Sequence, residues 1–285
     1  MPELPEVETI RRDLHARLCG TCILNVDVRH RDVVLGESAD FVARVRGREI
    51  TDTGRRGKVM WLRLGDDRAI AIHLRMSGRL LLVGGDRCRP PHTHLVFDCG
   101  ADRALLYVDP RRFGRLEIVH PEDLDASVLL RNIGPDALSR DLDVGTLRAM
   151  ARGRRIGIKE FLLDQRQISG IGNIYASEIL HRVGLDPATP AGRLSRGEMK
   201  RVLEQARAVL TEAIHACGTT LADDGYRSAL GRSGQFRRML RVYDREGEPC
   251  RREGCGGQIE RRVSRGRATY VCPRCQKSGG SRRPR

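Results

Sequence analysis

The amino terminus, MPELPEVETI, begins with groups that are able to do covalent chemistry. Once Met1 is removed, Pro2 carries a free secondary amine and the Glu3 carboxylate lies beside it. A secondary amine of this kind is a nucleophile that can form an iminium ion directly, and a neighbouring carboxylate can stabilise that cation or transfer a proton. A helix beginning at Pro5 has its positive end near the amine and favours the neutral form. The alternative is that the prolines only begin the helix.

Four of the nine cysteines have the spacing of a metal site. They follow the pattern Cys-x4-Cys-x16-Cys-x2-Cys, at Cys250, Cys255, Cys272 and Cys275. Four thiolates in two close pairs form a closed tetrahedral site, so we expect one structural Zn²⁺, and we expect no organic cofactor. The segment between the pairs predicts a β-hairpin with its turn near residues 264–266. Disulfides are the alternative, although the other cysteines are scattered as reduced thiols usually are.

Two further segments carry residues suited to phosphate or proton handling. The stretch ISGIGNIYASEIL joins two helical patterns through glycines and Asn173, which lets the backbone approach a ligand and turns helix N-terminal amides outward. A tight helix hairpin without a ligand is the alternative. In GRRGKVMWL, Lys58 begins an apolar strand, and we expect the charges of Arg55 and Arg56 to lower its pKa. A simply solvated lysine is the alternative.

The segments HLRMSG and DPRRFG end in short loops that carry Met76, Arg111 and Phe113. Apolar side chains on adjacent loops can push into a base stack, and an arginine can fill the resulting hole and hydrogen-bond the orphaned base. Without such a partner, Met76 and Phe113 would instead belong to a core.

The charge of the chain indicates an anionic polymer as partner. The net charge is +15 at pH 7, the sequence pI is about 10.1, and residues 226–285 contain 17 Arg and Lys against 5 Asp and Glu. Nucleic acid is the first candidate and a membrane surface the second. No apolar run approaches the roughly 20 residues of a membrane span, and no secretory signal follows the start, so we expect no membrane association and a cytoplasmic location.

The elements that position these residues follow from periodicity. Apolar residues at helical spacing predict a first helix from Pro5 to Leu18, and alternating segments such as VMWLRL and THLVFD then predict a β-sandwich or flattened barrel. After Val119 the pattern becomes helical. The predicted helices are Leu142–Arg152, Gly157–Asp164, Ile174–Val183 and Arg196–Ala216. Ser195 and Glu198 form the capping-box pattern of the last one.

Taken together, these segments resemble one family, the bacterial formamidopyrimidine-DNA glycosylases. The motifs PELPEVETIRR, GRRGK, HLRMSG, DPRRFG, GIGNIYASE and GTTL and the four-cysteine ribbon occur in the family's order and cover almost the whole chain. The start PELPE is similar to this family, whereas the sister endonuclease VIII type, which takes oxidised pyrimidines, typically begins PEGPE. The first cysteine pair is spaced x4, where many relatives have x2.

The resemblance implies an α+β fold: an N-terminal β-sandwich with a leading α-helix, then a C-terminal helix-two-turn-helix domain and a zinc ribbon. We expect the parts to be a catalytic sandwich domain at 1–120, a connecting segment at 121–140, and a helix-two-turn-helix domain with a lesion-covering loop at 141–237. A zinc-ribbon finger at 238–277 and a disordered basic tail at 278–285 would follow. Glycines within 222–237 predict that the loop is a mobile lid.

The resemblance also implies roles for individual residues. Pro2 would be the Schiff-base nucleophile, Glu3 would protonate or steady the opened sugar, and Lys58 and Arg267 would assist the two eliminations. The implied contacts to DNA are His73, His92, Arg111, Arg154, Lys159 and Asn173. The implied base-stack wedge is Met76, Arg111 and Phe113.

The predicted function is therefore base-excision repair of oxidised purines, chiefly 8-oxoguanine and formamidopyrimidines opposite C, in double-stranded DNA. The enzyme would be a monomeric, bifunctional glycosylase and AP lyase that also accepts abasic sites. Three alternatives remain at this point: a catalytically silent DNA-binding module, an enzyme for oxidised pyrimidines, and a tautomerase with an N-terminal proline. A tautomerase would have no use for the basic ribbon.

Overall fold

The computed structural model describes residues 1–65, 67–84, 89–222 and 225–279. It divides into two compact units. The first unit comprises Met1–Ile133 with Ala213–Arg237, and the second comprises Gly134–Glu212 with Arg238–Arg285, of which residues up to 279 are described. Most of the basic tail expected at 278–285 therefore lies outside the described residues. Within the described part of the chain, no helix is both long enough and apolar enough to cross a membrane.

The first unit begins with helix α1 (Leu4–Leu18), close to the predicted bounds. A capping box between Glu3 and Glu6 starts the helix, because the Glu3 main-chain N–H donates to Glu6 Oε2 at 2.8 Å. The predicted apolar face is buried against the sandwich. The helix start, which carries Pro2 and Glu3, is thus fixed both by its cap and by its packing.

Two sheets form the sandwich that the sequence predicts. The strands are β1 (Thr21–Ile23), β2 (Asn25–Val28), β3 (Val34–Leu35), β4 (Arg48–Arg56), β5 (Val59–Leu64), β6 (Arg68–His73), β7 (Arg79–Gly84), β8 (Thr93–Asp98), β9 (Arg103–Val108) and β10 (Arg115–Val119). One sheet has the order β1-β4-β5-β6-β10-β3 and the other β2-β8-β9-β7. A short helix, α2 (Ser38–Val45), follows β3. Both sheets and α1 contribute to one cluster of buried apolar side chains, so the sandwich is a rigid base for its loops.

The loop between residues 216 and 237 falls in the first unit, whereas the sequence places it with the helix-two-turn-helix domain at 141–237. Tyr226 and Ala229 are buried in the core of the sandwich, the Leu82 N–H donates to the Ala229 carbonyl at 2.8 Å, and Arg232 forms an ion pair with buried Asp13. The described part of the loop contacts the rest of the first unit at these positions, and its role as a mobile lid stays a prediction. Residues 223 and 224 lie outside the described chain.

The second unit contains the helices that the sequence predicts. They are α3 (Val144–Ala151), α4 (Ile158–Leu163), α5 (Asn173–Val183) and α6 (Arg196–His215). The predicted capping box of α6 is confirmed, because the Ser195 N–H donates to Glu198 Oε2 at 2.8 Å and the Glu198 N–H donates to Ser195 Oγ at 3.2 Å. The hairpin strands β11 (Glu260–Ser264) and β12 (Arg267–Val271) complete this unit.

A buried carboxylate links α5 to the segment that leads into the hairpin. Glu178 accepts hydrogen bonds from the main-chain N–H groups of Arg241, Val242 and Tyr243, each at 2.9 Å. Burial raises the pKa of Glu178, although these three donors favour its charged form. Val242 and Tyr243 also pack in the ribbon core, so Glu178 positions the ribbon on α5.

Candidate functional site

The chain start in the first unit is held by Glu6. Glu6 is buried; its Oε2 accepts from the Glu3 N–H, and its Oε1 accepts from the Thr219 N–H at 2.7 Å. Pro2 is buried, and Met1 is exposed. One carboxylate therefore connects the residues at the amino terminus with the GTTL motif, more than 200 positions away in sequence.

From the sequence alone, Glu6 is only a charge that suits the helix start. Its contact with the Thr219 N–H explains why the GTTL motif begins with glycine. Gly218 has a φ of +82°, and a Cβ atom there would lie 2.8 Å from Glu6 Oε1. Only glycine combines this left-handed backbone with such a close approach. The Glu-x-x-Glu spacing signals the cap, but no local pattern signals the contact with Thr219.

Lys58 is buried at the start of β5, and the two arginines beside it are paired with carboxylates. Arg55 Nε donates to Glu8 Oε2 at 3.1 Å, and Arg56 Nη1 donates to Asp125 Oδ1 at 2.6 Å. The expected repulsion between these arginines and Lys58 is therefore offset by acidic partners. Burial alone would raise the pKa of Glu8, but hydrogen bonds from its arginine partners and the charge of Arg55 lower it to about 2.

His73 lies opposite Val59, the residue after Lys58, on the neighbouring strand β6. Burial, and then the charges of Arg75 and Lys58, lower the pKa of His73 to about 3, so its imidazole is neutral at physiological pH. The Arg75 N–H donates to Nδ1 at 2.9 Å, which leaves the proton on Nε2. His73 can therefore donate one hydrogen bond from Nε2. His92, the second predicted histidine, is exposed and has a φ of 65°.

The three predicted wedge residues form one exposed cluster. Met76 and Phe113 are each 47% exposed, which is unusual for large apolar side chains and excludes the alternative that they are core residues. The Arg111 guanidinium carbon lies 4.6 Å from the centre of the Phe113 ring, and Arg111 Nη1 lies 4.0 Å from Met76 Sδ. An apolar wedge with a cation on its face is the surface that inserts between base steps.

A fully buried aspartate holds the two wedge loops together. Asp109 accepts from Ser77 Oγ in one loop, and from the Gly114 N–H at 2.8 Å and the Arg111 N–H at 3.2 Å in the other. Burial raises its pKa, but the hydrogen bonds, led by that from Ser77, hold the pKa of Asp109 below its ordinary value. A Cβ atom at position 114 would overlap the Tyr107 hydroxyl. From the sequence alone, Asp109 only begins the loop that carries Arg111 and Phe113.

In the second unit, three predicted residues meet at strand β12. Lys159 Nζ donates to the Ala268 carbonyl at 2.9 Å and to Thr269 Oγ1 at 2.8 Å, and Asn173 Nδ2 donates to the same carbonyl at 3.0 Å. Arg267 precedes Ala268 and is exposed. Lys159 is only 1% exposed, so the structure places its ammonium inside the fold rather than at the surface where a direct phosphate contact was expected. Arg154 is exposed before α4.

The hairpin that carries Arg267 has the predicted turn. Ser264 pairs with Arg267, which leaves Arg265 and Gly266 as a two-residue turn with φ values of 46° and 74°. Positive φ at both positions is typical of the turn that matches the twist of a hairpin. The exposed arginines of this hairpin are Arg261, Arg262, Arg265 and Arg267. They form a cationic surface suited to phosphates.

The four predicted cysteines come together at the base of the hairpin. All four Sγ atoms lie within 4.8 Å of one another, with 3.8 Å between Cys250 and Cys275 and 3.6 Å between Cys255 and Cys272. A tetrahedral zinc with Zn–S bonds of about 2.3 Å requires sulfur separations of about 3.8 Å, so the donor set fits Zn²⁺. Among the described residues, these cysteines are not in disulfides.

Comparison with family models covers the chain in three parts. Residues 1–116 match the formamidopyrimidine-DNA glycosylase N-terminal domain, residues 133–224 match its H2TH domain, and residues 247–277 match the zinc finger found in FPG and IleRS. The chain is 42% identical to the formamidopyrimidine-DNA glycosylase of Beijerinckia indica and 41% identical to that of Phenylobacterium zucineum. Both alignments cover 97% of this chain and 100% of the relative.

Solved structures from Lactococcus lactis show the same fold. A complex of its Fpg with abasic-site DNA superimposes with a TM-score of 0.90 at 33% identity. A complex of wild-type FPG with DNA containing an oxidised pyrimidine gives 0.89 at 34% identity. Each match covers 97% of this chain and 100% of the solved one. The chain therefore belongs to the formamidopyrimidine-DNA glycosylase family.

Proposed function

We propose that this DNA-repair glycosylase excises oxidised purines, chiefly 8-oxoguanine and formamidopyrimidines, from duplex DNA and then cleaves the strand as an AP lyase. The observation that carries the proposal is the arrangement at the chain start, where buried Glu6 fixes the Pro2–Glu3 segment through the Glu3 N–H and the Thr219 N–H. If the amino terminus only began a helix, the cap between Glu3 and Glu6 would be sufficient, and the contact of Glu6 with Thr219 would not be needed. We further propose that the protein acts as a monomer in the cytoplasm.

In this proposal, the Pro2 amine attacks C1′ of the damaged nucleotide after Met1 has been removed. The bond from C1′ to the base breaks, and the base leaves with its electron pair and takes up a proton. The bound amine loses its proton, and its lone pair then expels O4′ from C1′, so the sugar ring opens, O4′ takes up a proton and an iminium ion forms. Glu3 lies beside the amine, where its carboxylate stabilises the positive charge and transfers a proton to the opened sugar. The N-terminal end of α1 disfavours the protonated amine before attack.

The iminium ion then withdraws electrons from C2′, so a proton is lost there, the C3′–O bond breaks and the 3′-phosphate leaves with the electron pair. A second elimination removes a proton from C4′ and breaks the C5′–O bond, so the 5′-phosphate leaves in the same way. Water then hydrolyses the remaining imine and frees the Pro2 amine. The groups of the first unit that we assign to the phosphates at the lesion are Lys58, which directly precedes β5, and neutral His73, which pairs with Val59 from β6. Arg267 and Asn173 of the second unit provide further phosphate contacts, and His92 and Arg154 extend the contacts along the backbone.

The wedge supports the extrusion of the damaged base. Extrusion of a base costs a few kcal/mol of stacking and pairing free energy. Met76 and Phe113 would enter the gap, and Arg111, held against Phe113, would hydrogen-bond the orphaned base. Lys159 contributes indirectly in this proposal, because its ammonium holds the main chain next to Arg267.

A second candidate function is excision of oxidised pyrimidines by the same chemistry. It is favoured by one finding: the related Lactococcus lactis protein, at 34% identity, was solved with DNA that contains an oxidised pyrimidine. Both functions use the same terminus and wedge, so a lesion panel separates them.

Borohydride trapping tests the proposal. The full chain is incubated with borohydride and duplexes that contain 8-oxoguanine opposite C, a formamidopyrimidine, thymine glycol, or no lesion. We expect a covalent adduct with the purine lesions that maps to Pro2 by mass spectrometry. Pro2→Gly should reduce adduct formation strongly, whereas Pro5→Ala, which changes a proline of the same segment but keeps the amine, should retain it.

Other outcomes identify the alternatives. Adduct with thymine glycol but not with 8-oxoguanine would assign the enzyme to pyrimidines. DNA binding without adduct on any lesion would indicate a silent binding module. An adduct that maps away from Pro2, or active protein that retains Met1, would overturn the proposed nucleophile.

A further inference from the structure

His181 lies near the end of α5, within hydrogen-bond distance of one zinc ligand. Its Nε2 atom is 3.2 Å from Cys250 Sγ, and the Arg252 N–H contacts the same sulfur at 3.4 Å. The imidazole is fully buried, and its Nδ1 atom has no hydrogen-bond partner among the described residues. A buried histidine with one unpaired nitrogen is costly, so its remaining contact should be a favourable one.

The chemistry of the sulfur fixes the direction of this contact. A cysteine that ligates zinc is a thiolate and carries no proton, so it can only accept a hydrogen bond. The proton of the imidazole must therefore lie on Nε2. Donors to a ligating atom orient the ligand and adjust the charge it delivers to the metal. We propose that His181 is a positioning residue of the zinc site, whose Nε2–H stabilises the Cys250 thiolate and the metal-bound ribbon.

The longer spacing of the first cysteine pair supports this role. Between Cys250 and Cys255, the side chain of Arg252 turns back to α5, where its guanidinium donates to the carbonyls of His181 and Arg182. Carbonyls at the end of a helix have no partner within the helix, and a cation is favourable there. The four intervening residues thus give the loop enough length to hold the end of α5, which keeps His181 against the sulfur.

The test uses the full-length zinc protein and its Co²⁺-substituted form. His181→Phe keeps a ring of similar size but removes the donor, and His181→Gln keeps an N–H donor. We measure zinc transfer to a chromophoric chelator and the energy of the sulfur-to-cobalt charge-transfer band. We expect the Phe variant to release zinc about tenfold faster, in line with the loss of metal affinity when groups that hydrogen-bond to zinc ligands are removed. Its band should move to lower energy, and the Gln variant should stay near the wild type.

Arg274→Ala is the matched control. It removes an exposed arginine that lies between two zinc ligands and donates to the Gly256 carbonyl, and it keeps His181 and both donors to Cys250 Sγ. Its charge-transfer band should match that of the wild type. A wild-type band and release rate in the Phe variant would overturn the proposal, as would an Arg274→Ala band shifted as far as that of the Phe variant. Should the Phe variant fail to fold, the ¹⁵N shifts of wild-type His181 decide: a protonated Nε2 supports the proposal, and a protonated Nδ1 overturns it.

Discussion

At the scale of single residues, acidic side chains fix the position of the reactive groups. Glu6 holds the chain start, Asp109 holds the wedge loops, and Glu178 holds the ribbon segment on α5. Each is buried and accepts main-chain N–H groups rather than pairing only with a surface cation. Hydrogen bonds to a buried carboxylate are stronger than neutral ones and are costly to leave unmade. In a chain of net charge +15, these few acids have a structural effect well beyond their number.

The first prediction concerns Glu6. Glu6→Ala leaves the N–H groups of Glu3 and Thr219 without their carboxylate acceptor, so we expect a loss of about 2 kcal/mol in unfolding free energy. The rate of borohydride trapping should fall by a larger factor than the affinity for DNA. The Pro2 amine loses its fixed position, whereas the residues proposed to contact the phosphates are unchanged. Urea unfolding and trapping kinetics measure the two effects. Glu122→Ala, at an exposed acid of the same unit, is the control. Trapping at the wild-type rate would contradict the assigned role.

The second prediction concerns the pH dependence of stability. The pKa of Glu8 is lowered to about 2 in the folded protein, and it is about 4.3 in an unfolded chain. Because folding lowers this pKa, ionised Glu8 stabilises the folded state at pH values above its unfolded pKa. This stabilisation is lost as the pH falls towards the folded pKa. Glu8→Gln should therefore be less stable than wild type at pH 7, and the difference should narrow as the pH falls below about 5.

Urea midpoints of both proteins between pH 7 and pH 3 check this expectation. Glu37→Gln, at an exposed position, should follow the wild-type curve throughout. A difference between wild type and Glu8→Gln that stays constant over the whole range would show that packing, rather than the ion pairs with Arg11, Arg12 and Arg55, accounts for the effect.

At the scale of elements, local patterns predicted structure well and long-range contacts poorly. The buried face of α1, the Ser195–Glu198 cap of α6 and the hairpin turn all arise from neighbours within a few positions, so periodicity and spacing were sufficient. The contacts of Lys159 with Ala268 and of Glu6 with Thr219 join residues more than 100 positions apart. Nothing in either segment alone signals them.

The third prediction concerns the wedge. Phe113→Ala removes an exposed ring that makes little contribution to the core, so the fold should remain stable. Excision should fall by about tenfold, because part of the cost of base extrusion is no longer offset, while affinity for undamaged DNA should change little. Excision rates measure removal of the damaged base, and the fluorescence of 2-aminopurine placed beside the lesion measures base extrusion. Val263→Ala, which trims an apolar side chain 66% exposed on the hairpin, is the control. Equal losses in both variants would contradict a specific wedge.

At the scale of the whole molecule, each unit has its own cluster of buried apolar side chains and its own residues that we propose to contact DNA. The sandwich cluster of the first unit includes none of the four cysteines of the metal site, whereas the ribbon cluster of the second unit contains or contacts all four. The cysteine spacing predicts that the ribbon depends on metal, because a small hairpin buries too little apolar surface to be stable alone. The assignment of residues 213–237 to the first unit was not predictable, since it depends on Tyr226 and Ala229 packing into a distant core.

The fourth prediction follows from this division. A strong zinc chelator should abolish specific DNA binding, because the hairpin arginines lose their common orientation, while the first unit stays folded. Fluorescence anisotropy with lesion DNA, and hydrogen exchange resolved by peptide, measure binding and folding separately. Re-addition of Zn²⁺ should restore both the ribbon and the affinity. Unchanged affinity after complete metal loss would exclude a role for the ribbon in binding.

The shared acceptor at Ala268 has a consequence for how the chain tolerates substitution. Lys159 and Asn173 both bind the carbonyl oxygen of this residue, which every amino acid possesses. A substitution at position 268 therefore leaves this acceptor in place, but the Ala268 side chain packs against the ribbon core, so only small replacements fit there. A mutational scan should find serine tolerated at position 268, whereas positions 159 and 173, which supply the two donors, should tolerate few replacements.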